Sequence, residues 1–399
     1  MFSGASSPDR TPVIVGISET PMGDLGGRSS LALHADATLA ALNDAGLKKS
    51  DVDGVLSGGS FVDDYLAHSC VLCEYLGIEP DYTALLQTGG ATAVSMVLEA
   101  AAAIYAGLAQ TVVVVTADNI LSGLSQVGGA NRDGAVRKMA SQAAHPDFEM
   151  PFGPTVPALY SLLATRHMHE YGTTSEQLAQ LAVNQRANAL MHPGVKFTEA
   201  ISVEDVLESR LVAGPLHLLE CAVVTDGGGA LVLTSAARAK ALDKPPVGIL
   251  GGGVGSGHEH LLKMQDLTTS NGARNSGRLA MERSGVSHDD LDVLEIYDPF
   301  TIALLIFLED LGFCAKGEGG ALAESSEITM EGKWPLNTNG GLLSYAHGGI
   351  SGGIIHPVEA VRQLRGEAGK RQVAGAELAL VHGNGGVCSS EATAVFARV

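Results

Sequence analysis

Apolar positions along the chain change rhythm repeatedly, and the changes mark out strands and helices in turn. Thr11 to Glu19 (TPVIVGISE) is a short β-branched run, and Leu31 to Gly46 (LALHADATLAALNDAG) follows with helical spacing and a glycine stop. Val52 to Gly58 reads as another strand. A turn at Thr88-Gly89-Gly90 opens a long Ala-rich helix lasting to about Gly107, and Thr111 to Thr116 (TVVVVT) is apolar throughout, the pattern of a strand inside a covered sheet. Strands alternating with helices predict an α/β protein whose mostly parallel sheet is covered on both faces. Ala91 to Thr116, the longest apolar stretch, is interrupted by Glu99 and Gly107, which predicts a buried helix and strand in place of a membrane span.

The same grammar returns later as a weak repeat. Asn43-Asp44-Ala45-Gly46-Leu47, then Asp51-Val52-Asp53, is echoed by Glu282-Arg283-Ser284-Gly285-Val286, then Asp290-Leu291-Asp292, each matched position lying 239 residues after its partner. A strand near a proline lies upstream of each copy (Val13 to Ile17, Val247 to Leu250), and a strand followed by a helix lies downstream. This predicts duplication: one half from residues 1–118 and 220–240, a second from 241–399, and an insertion over 119–219. The insertion is irregular at first, then helical from Pro157 to Tyr171 and from Ser175 to Met191, and long inserts of this kind cover active sites.

Composition narrows the function. Of 399 residues, 45% are hydrophobic and 17% charged, which excludes a disordered or fibrous chain. The 44 acidic residues outnumber 25 basic ones for a formal net charge of −19, a field that repels nucleic acid and anionic membranes. An anionic ligand such as coenzyme A would need local Lys or Arg residues or helix N-termini to offset it. The 50 glycines cluster beside apolar runs and predict tight turns, close backbone approaches and ligand-binding loops. Five scattered cysteines (Cys70, Cys73, Cys221, Cys314, Cys388) and an N-terminus without charged and apolar signal regions predict a reduced, cytoplasmic protein.

Several familiar motifs fail on inspection. Cys70-Val71-Leu72-Cys73 has redox or half-zinc spacing but no second pair, and its setting is helical and apolar, so no metal is expected. Gly349-Ile350-Ser351-Gly352-Gly353 fits G-x-S-x-G without a strand before it. Gly251 to Gly257 never places glycines at the first, third and sixth positions together, so it is no dinucleotide loop.

Three segments join a turn or glycine-rich loop to residues of catalytic type: Glu295-Ile296-Tyr297-Asp298-Pro299-Phe300, Asn337 to Gly349 (NTNGGLLSYAHGG), and Val381-His382-Gly383-Asn384-Gly385-Gly386. Their order and spacing in a duplicated α/β frame resemble the thiolase superfamily over nearly the whole chain, most closely its sterol-carrier or lipid-transfer branch. The resemblance implies a five-layer αβαβα fold and a homodimer paired through the strand after the buried helix, here Thr111 to Thr116.

The departures from the family pattern are chemical. Where thiolases carry the acyl-accepting cysteine, this chain reads Gly89-Gly90-Ala91. The second thiolase cysteine aligns with His382, the histidine of the G-H-P string with His347, and the first residue of the N-E-A-F or H-D-C-F string with Tyr297. Without a thiolate a Claisen thiolase has nowhere to hold its acyl group. The pattern resembles thiolase-like aldolases of steroid side-chain breakdown, whose pocket tyrosines serve a retro-aldol step. It implies a lyase that cleaves a 3-hydroxyacyl-CoA to a ketone or aldehyde and a shortened acyl-CoA, with coenzyme A as part of the substrate and no covalently bound cofactor. Tyr297, Tyr345, His347 and His382 are the expected catalytic residues, and Gly89, Gly90, Asn339, Gly383, Asn384 and Gly385 the expected substrate-binding ones; Gly90 would make room for the branched β-carbon of the substrate. Such enzymes work with a small zinc-ribbon and oligonucleotide-binding-type partner that presents the acyl-CoA. The alternatives are an acyltransferase using Cys388 or Cys221, and a non-catalytic acyl-CoA or lipid carrier.

Overall fold

A computed structural model describes residues 10–63, 65–127 and 139–399. Nine strands form one sheet: β1 (Pro12–Glu19), β2 (Gly54–Gly58), β3 (Tyr82–Leu86), β4 (Thr111–Asp118), β7 (Gly227–Ser235), β8 (Val247–Ser256), β9 (Val293–Ile296), β10 (Leu378–Gly385) and β11 (Ser390–Arg398), while β5 (Leu211–Ala213) and β6 (Leu216–His217) make a separate hairpin. The order is β3-β2-β4-β7-β1-β8-β11-β10-β9, and an isolated parallel bridge sets Leu336 beside Leu294 of β9. Counted by rank within each half, both halves therefore read third-second-fourth-fifth-first. Among the described residues their strands hydrogen-bond to one another where β1 and β8 pair antiparallel, at Val13 with Gly248 and Ile14 with Val247.

The repeat has a structural meaning. The carboxylate of Asp53 accepts hydrogen bonds from the N–H groups of Gln110 and Thr111 at the start of β4. That of Asp292 accepts from Glu377 and Leu378 at the start of β10. Asp51 and Asp290 each close a capping box on the short turn before β2 and β9. The matching aspartates thus hold matching strands in register.

Side-chain alternation builds five layers. Val13, Val15, Val55, Val113 and Val115 face the helices Ser30–Asp44 and His68–Leu76 on one outer side. Ile14, Leu56 and Val114 of the same strands face inward, onto helices Thr92–Ala106 and Ile355–Arg365, whose other side meets Val293, Val381 and Phe396. Leu294, Leu380 and Val395 point the other way, onto helices Asn271–Ser284 and Thr301–Asp310. Gly89–Ala106 is long and apolar enough to cross a membrane, but 72% of it is buried between the sheets. Only its far end reaches solvent, at Glu99, Ala102 and Ala106.

Two expectations need correction. Thr111 to Thr116 cannot pair across a dimer, because β4 is hydrogen-bonded to β2 on one side and β7 on the other. The open edge of that half is β3, whose residues alternate between half-buried and exposed. The glycine-rich runs are not all loops either. Gly227-Gly228-Gly229 begins β7, and Gly251, Gly253 and Gly255 lie in β8 against helix Asn271–Ser284, where a Cβ on Gly253 would fall 2.6 Å from the Ser276 carbonyl oxygen. Glycine here lets a helix rest directly on a strand.

The two helices expected after residue 156 are present as Val156–Tyr171 and Ser175–Ala189, and Leu159, Leu163, Leu178 and Leu181 pack them onto the Thr301–Asp310 layer. Cys70 and Cys73 lie in helix His68–Leu76. Among the described residues no cluster of three or more His, Cys, Asp or Glu side chains could hold a metal ion.

Candidate active site

The end of β9 is pinned from both sides before Tyr297 leaves the sheet. The Asn337 side chain takes the place of a neighbouring strand: its Oδ1 accepts from Ile296 N–H at 2.7 Å and its Nδ2 donates to the Ile296 carbonyl at 2.8 Å. Tyr297 N–H donates to the His382 carbonyl of β10 at 2.9 Å. Asp298 then accepts from Leu342 N–H at 2.7 Å and Leu343 N–H at 3.3 Å, fixing the short helical turn Gly341–Ser344 that delivers Tyr345 and His347. His347 is tied to Thr225 by two bonds, from its own N–H to Thr225 Oγ1 at 3.2 Å and from Thr225 N–H to its carbonyl at 3.0 Å.

These restraints bring Tyr297 Oη to 2.9 Å from His347 Nε2. The phenol is 4% exposed. Burial, then the charges of Asp298 and Glu391, push its acidity further from neutrality than a free tyrosine's, so it rests protonated. Burial and the neighbouring His356 hold His347 down to about 4, so its imidazole is neutral near pH 7. A protonated phenol against a neutral imidazole can move one proton in either direction.

Gly90 sits against this pair. A Cβ placed on it would overlap Cζ, Cε2 and Oη of Tyr297, so the ring occupies the volume into which any side chain at position 90 would project. The expectation that Gly90 clears space for a substrate branch is therefore corrected: the space belongs to Tyr297. Around it, backbone packs on backbone. A Cβ on Gly89, whose φ is +58°, would lie 2.7 Å from Gly385 Cα, and one on Gly383 would lie 2.9 Å from Ala91 Cα. The turn Gly89–Ala91 leads into helix Thr92–Ala106, whose N-terminal end thereby faces the phenol and favours negative charge there.

The remaining expected side chains bond or stack with partners other than the Tyr297 and His347 side chains. The His382 ring turns to the outer face of the sheet, with Nδ1 2.8 Å from Thr393 Oγ1, Nε2 3.3 Å from Glu391 and Phe307 at a ring separation of 4.9 Å. Tyr345 stacks on His192 at 4.0 Å, on the side of Glu19 and Arg362. Asn384 Nδ2 donates to the Tyr160 hydroxyl at 3.0 Å, and Asn339 Oδ1 accepts from Gly341 N–H at 2.9 Å, so both shape loops. Gly89, Gly383 and Gly385 form the packed floor under Gly90.

Two residues near the phenol were not singled out from the sequence. Asp298 stands next to Tyr297 in the Tyr297-Asp298-Pro299-Phe300 string, and its neighbour Tyr297 drew the attention. His356 opens the Ile355–Arg365 helix as a His-Pro pair, and its ring lies 6.0 Å from that of Tyr297. Cys221 and Cys388, the two candidate nucleophiles, are poorly suited to that role. Burial pushes the Cys221 thiol up to about 12 and raises that of Cys388 well above its ordinary value, and Cys388 is fully buried. Ser351 donates to the Gly227 and Gly348 carbonyls, each at 2.9 Å, as a structural hydroxyl.

Comparison with known proteins agrees with this architecture. Residues 253–398 match the family described as thiolase C-terminal domain-like. The acetyl-CoA acetyltransferase of Methanothermobacter thermautotrophicus is 32% identical over 98% of this chain and 100% of its own. The 17-hydroxy-3-oxo-4-pregnene-20-carboxyl-CoA lyase of Mycobacterium tuberculosis is 36% identical over 94% of this chain and 97% of its own. A solved Ltp2-ChsH2(DUF35) aldolase superposes with a TM-score of 0.85 at 33% identity, covering 98% of this chain and 99% of that one.

Proposed function

The chain belongs to the thiolase superfamily, and we propose that it is a carbon–carbon lyase that cleaves a 3-hydroxyacyl-CoA into a ketone or aldehyde and a shortened acyl-CoA. One observation carries this reading: the Tyr297 phenol, bonded to a neutral His347, fills the place beside Gly90 where thiolases keep their nucleophilic thiol. A lyase of this kind and the ChsH2-bearing aldolase are among the chain's relatives.

The chemistry balances within that pair. As the substrate's 3-hydroxyl proton passes to the Tyr297 oxygen, the phenol's own proton passes to His347 Nε2. The Cα–Cβ electron pair then becomes the enolate of the thioester, and the hydroxyl carbon becomes the carbonyl product. Return of the proton from His347 through Tyr297 to the enolate carbon completes the shortened acyl-CoA and restores the resting site. The N-terminal end of helix Thr92–Ala106 stabilises the negative charge that passes through the phenol and enolate. Coenzyme A takes part as the carrier end of the substrate.

The acetyltransferase among the relatives favours a second reading, acyl transfer. It meets an obstacle in the raised and buried thiols of Cys221 and Cys388, neither of which lies by Gly90.

The ChsH2-bearing neighbour supports a partner protein for this chain as well, of the zinc-ribbon and oligonucleotide-binding-type class, which would supply the basic surface for coenzyme A that a charge of −19 withholds. The open β3 edge supports a homodimer, and five free cysteines support a reducing, cytoplasmic setting. The test is to incubate the protein, alone and with such a partner, with 3-hydroxyacyl-CoA thioesters after complete iodoacetamide alkylation, and to identify products by mass. Release of a carbonyl compound with a shortened acyl-CoA is expected, and thiolysis lost on alkylation would replace this reading with the acyltransferase.

A further inference from the structure

Beside Tyr297 lies a buried group of titratable residues that the proton transfer does not use. His356 is fully buried at the start of helix Ile355–Arg365. Its Nδ1 is 3.3 Å from Glu295 Oε2, while its Nε2 has no hydrogen-bond partner and lies 3.8 Å from Asp298 Oδ1. Glu295 and Asp298 flank Tyr297 in the chain, and all three side chains are almost entirely shielded from water. Asp298 also grips the turn that carries His347. It therefore follows Tyr297 directly in the chain and holds the turn that carries His347, with His356 as the imidazole at its side.

The geometry points to His356 as a positioning residue for the reaction, acting through Asp298 to set how readily the Tyr297 phenol gives up its proton. The inference rests on the lyase reading for its kinetic consequence, although the coupling itself is a property of the protein without substrate. An ionised Asp298 beside Tyr297 opposes the negative charge that appears on the phenol oxygen when its proton leaves; a protonated Asp298 does not. The His356 Nε2, which has no other partner and faces Asp298, favours the ionised form of that carboxylate when it carries the ring's proton, and so tunes the switch.

The surroundings leave Asp298 as the group that changes near neutrality. Burial raises it to about 7, against the opposing pull of His356 and two backbone N–H bonds. Glu295, on β9, is pushed well above the usual carboxylate range by burial and by Glu359. Glu359, on the His356 helix, is held ionised against Arg371, whose Nε lies 2.6 Å away, and Arg362. Glu19 of β1 faces the same helix through its ion pair with Arg362. Burial pushes Glu391 of β11 well above its ordinary value, and His347, His356 and His382 are neutral, held down to about 4, 4 and 3.

The test uses the whole protein with ¹³Cζ-labelled tyrosine, the Tyr297 resonance being assigned from its loss in Tyr297→Phe. Between pH 6 and 8.5, without substrate, that resonance is expected to move through a transition near 7, and kcat to fall as pH rises through the same value while KM changes less than about twofold. In His356→Gln, which keeps a polar contact for Glu295 but no longer presents the ring Nε2–H to Asp298, both transitions should shift upward by roughly one pH unit. In Asp298→Asn both should vanish. A Tyr297 resonance that stays still across this range in the wild-type protein overturns the inference without needing any variant to fold, as does an unshifted transition in His356→Gln. A resonance that moves and shifts as described in a protein that cleaves no 3-hydroxyacyl-CoA supports the coupling and removes the lyase reading alone.

Discussion

Tyr297 and Gly90 share one volume: the phenol ring stands where the first carbon of any side chain at position 90 would have to go. Gly90→Ala is therefore an overpacking change and is expected to cost about 1–3 kcal/mol of stability. Adding Tyr297→Ala should recover part of that loss. Urea unfolding of the four members of the cycle measures the coupling, expected at about 0.5–3 kcal/mol. Strict additivity would show that the two residues do not compete for space.

Removing the hydroxyl while keeping the ring isolates the proton transfer. Tyr297→Phe fills the same volume and leaves the fold intact, and kcat on a 3-hydroxyacyl-CoA should drop by about 10²–10⁴-fold. His347→Asn should act similarly, since it removes the acceptor 2.9 Å from the phenol. The double variant should be little worse than either single one, because both act on one proton. Two independent, multiplying losses would separate their roles.

Acid should act on His347 later than on an ordinary histidine. Burial lowers it from 6.5 to about 4, so it stays a proton acceptor as the pH falls through 6.5 and is lost only near 4. The acid side of the kcat/KM profile should accordingly be flat down to about pH 5 and fall below it. Stability carries the same sign. The unfolded chain takes up this proton below 6.5 and the folded one does not, so acidification from 6.5 to about 4 removes stability. An activity limb at 6.5 would assign the proton to a different group.

The buried pair of Glu359 and Arg371 is a structural dependency rather than a catalytic one. With 2.6 Å between Oε1 and Nε and both side chains almost fully buried, Arg371→Met removes the nearer cation of the Glu359 carboxylate, leaving Arg362 at 3.5 Å, and should cost about 3–5 kcal/mol. Arg371→Met with Glu359→Leu should cost much less. Thermal unfolding of both variants decides this.

The open β3 edge gives a test of assembly. Leu85 is 38% exposed in the middle of that strand, and Leu85→Pro should abolish strand pairing across it. Light scattering at micromolar concentration is expected to report a dimer for the wild-type chain and a monomer for the variant. A monomeric wild-type protein would remove the dimer.

How much of this was legible beforehand divides along physical lines. Regular spacing carried β1, β2, β4 and the helices Ser30–Asp44 and Thr92–Ala106 but not β3, and the Asp53 and Asp292 repeat carried the duplication, because a carboxylate that caps a strand start leaves a trace at a fixed offset. Short motifs carried Tyr297 and His347 to within a hydrogen bond of one another. What failed was direction. His382 lies one residue from inward-facing Val381, and the alternation of a strand turns its ring to the other face. Gly227 to Gly229 opens a strand where a glycine run suggests a turn, because composition does not distinguish a glycine that bends the chain from one that lets two backbones touch. His356 was invisible because its partners, Glu295 and Asp298, are distant in sequence.

The repeat that makes the two halves alike also shows where they part company. By the 239-residue offset the counterpart of Tyr297 is Gly58, at the same point on the tip of β2 and facing the same central layer. A Cβ there would collide with Thr116, so that tip is closed to any side chain. At the Tyr297–His347 site, the first half contributes emptiness and a helix end, and the second contributes the proton-bearing groups. The duplicated protein thus has one workshop with two unequal landlords. Sequence drift in the first half is limited there by what must stay absent, and drift in the second by what must stay present.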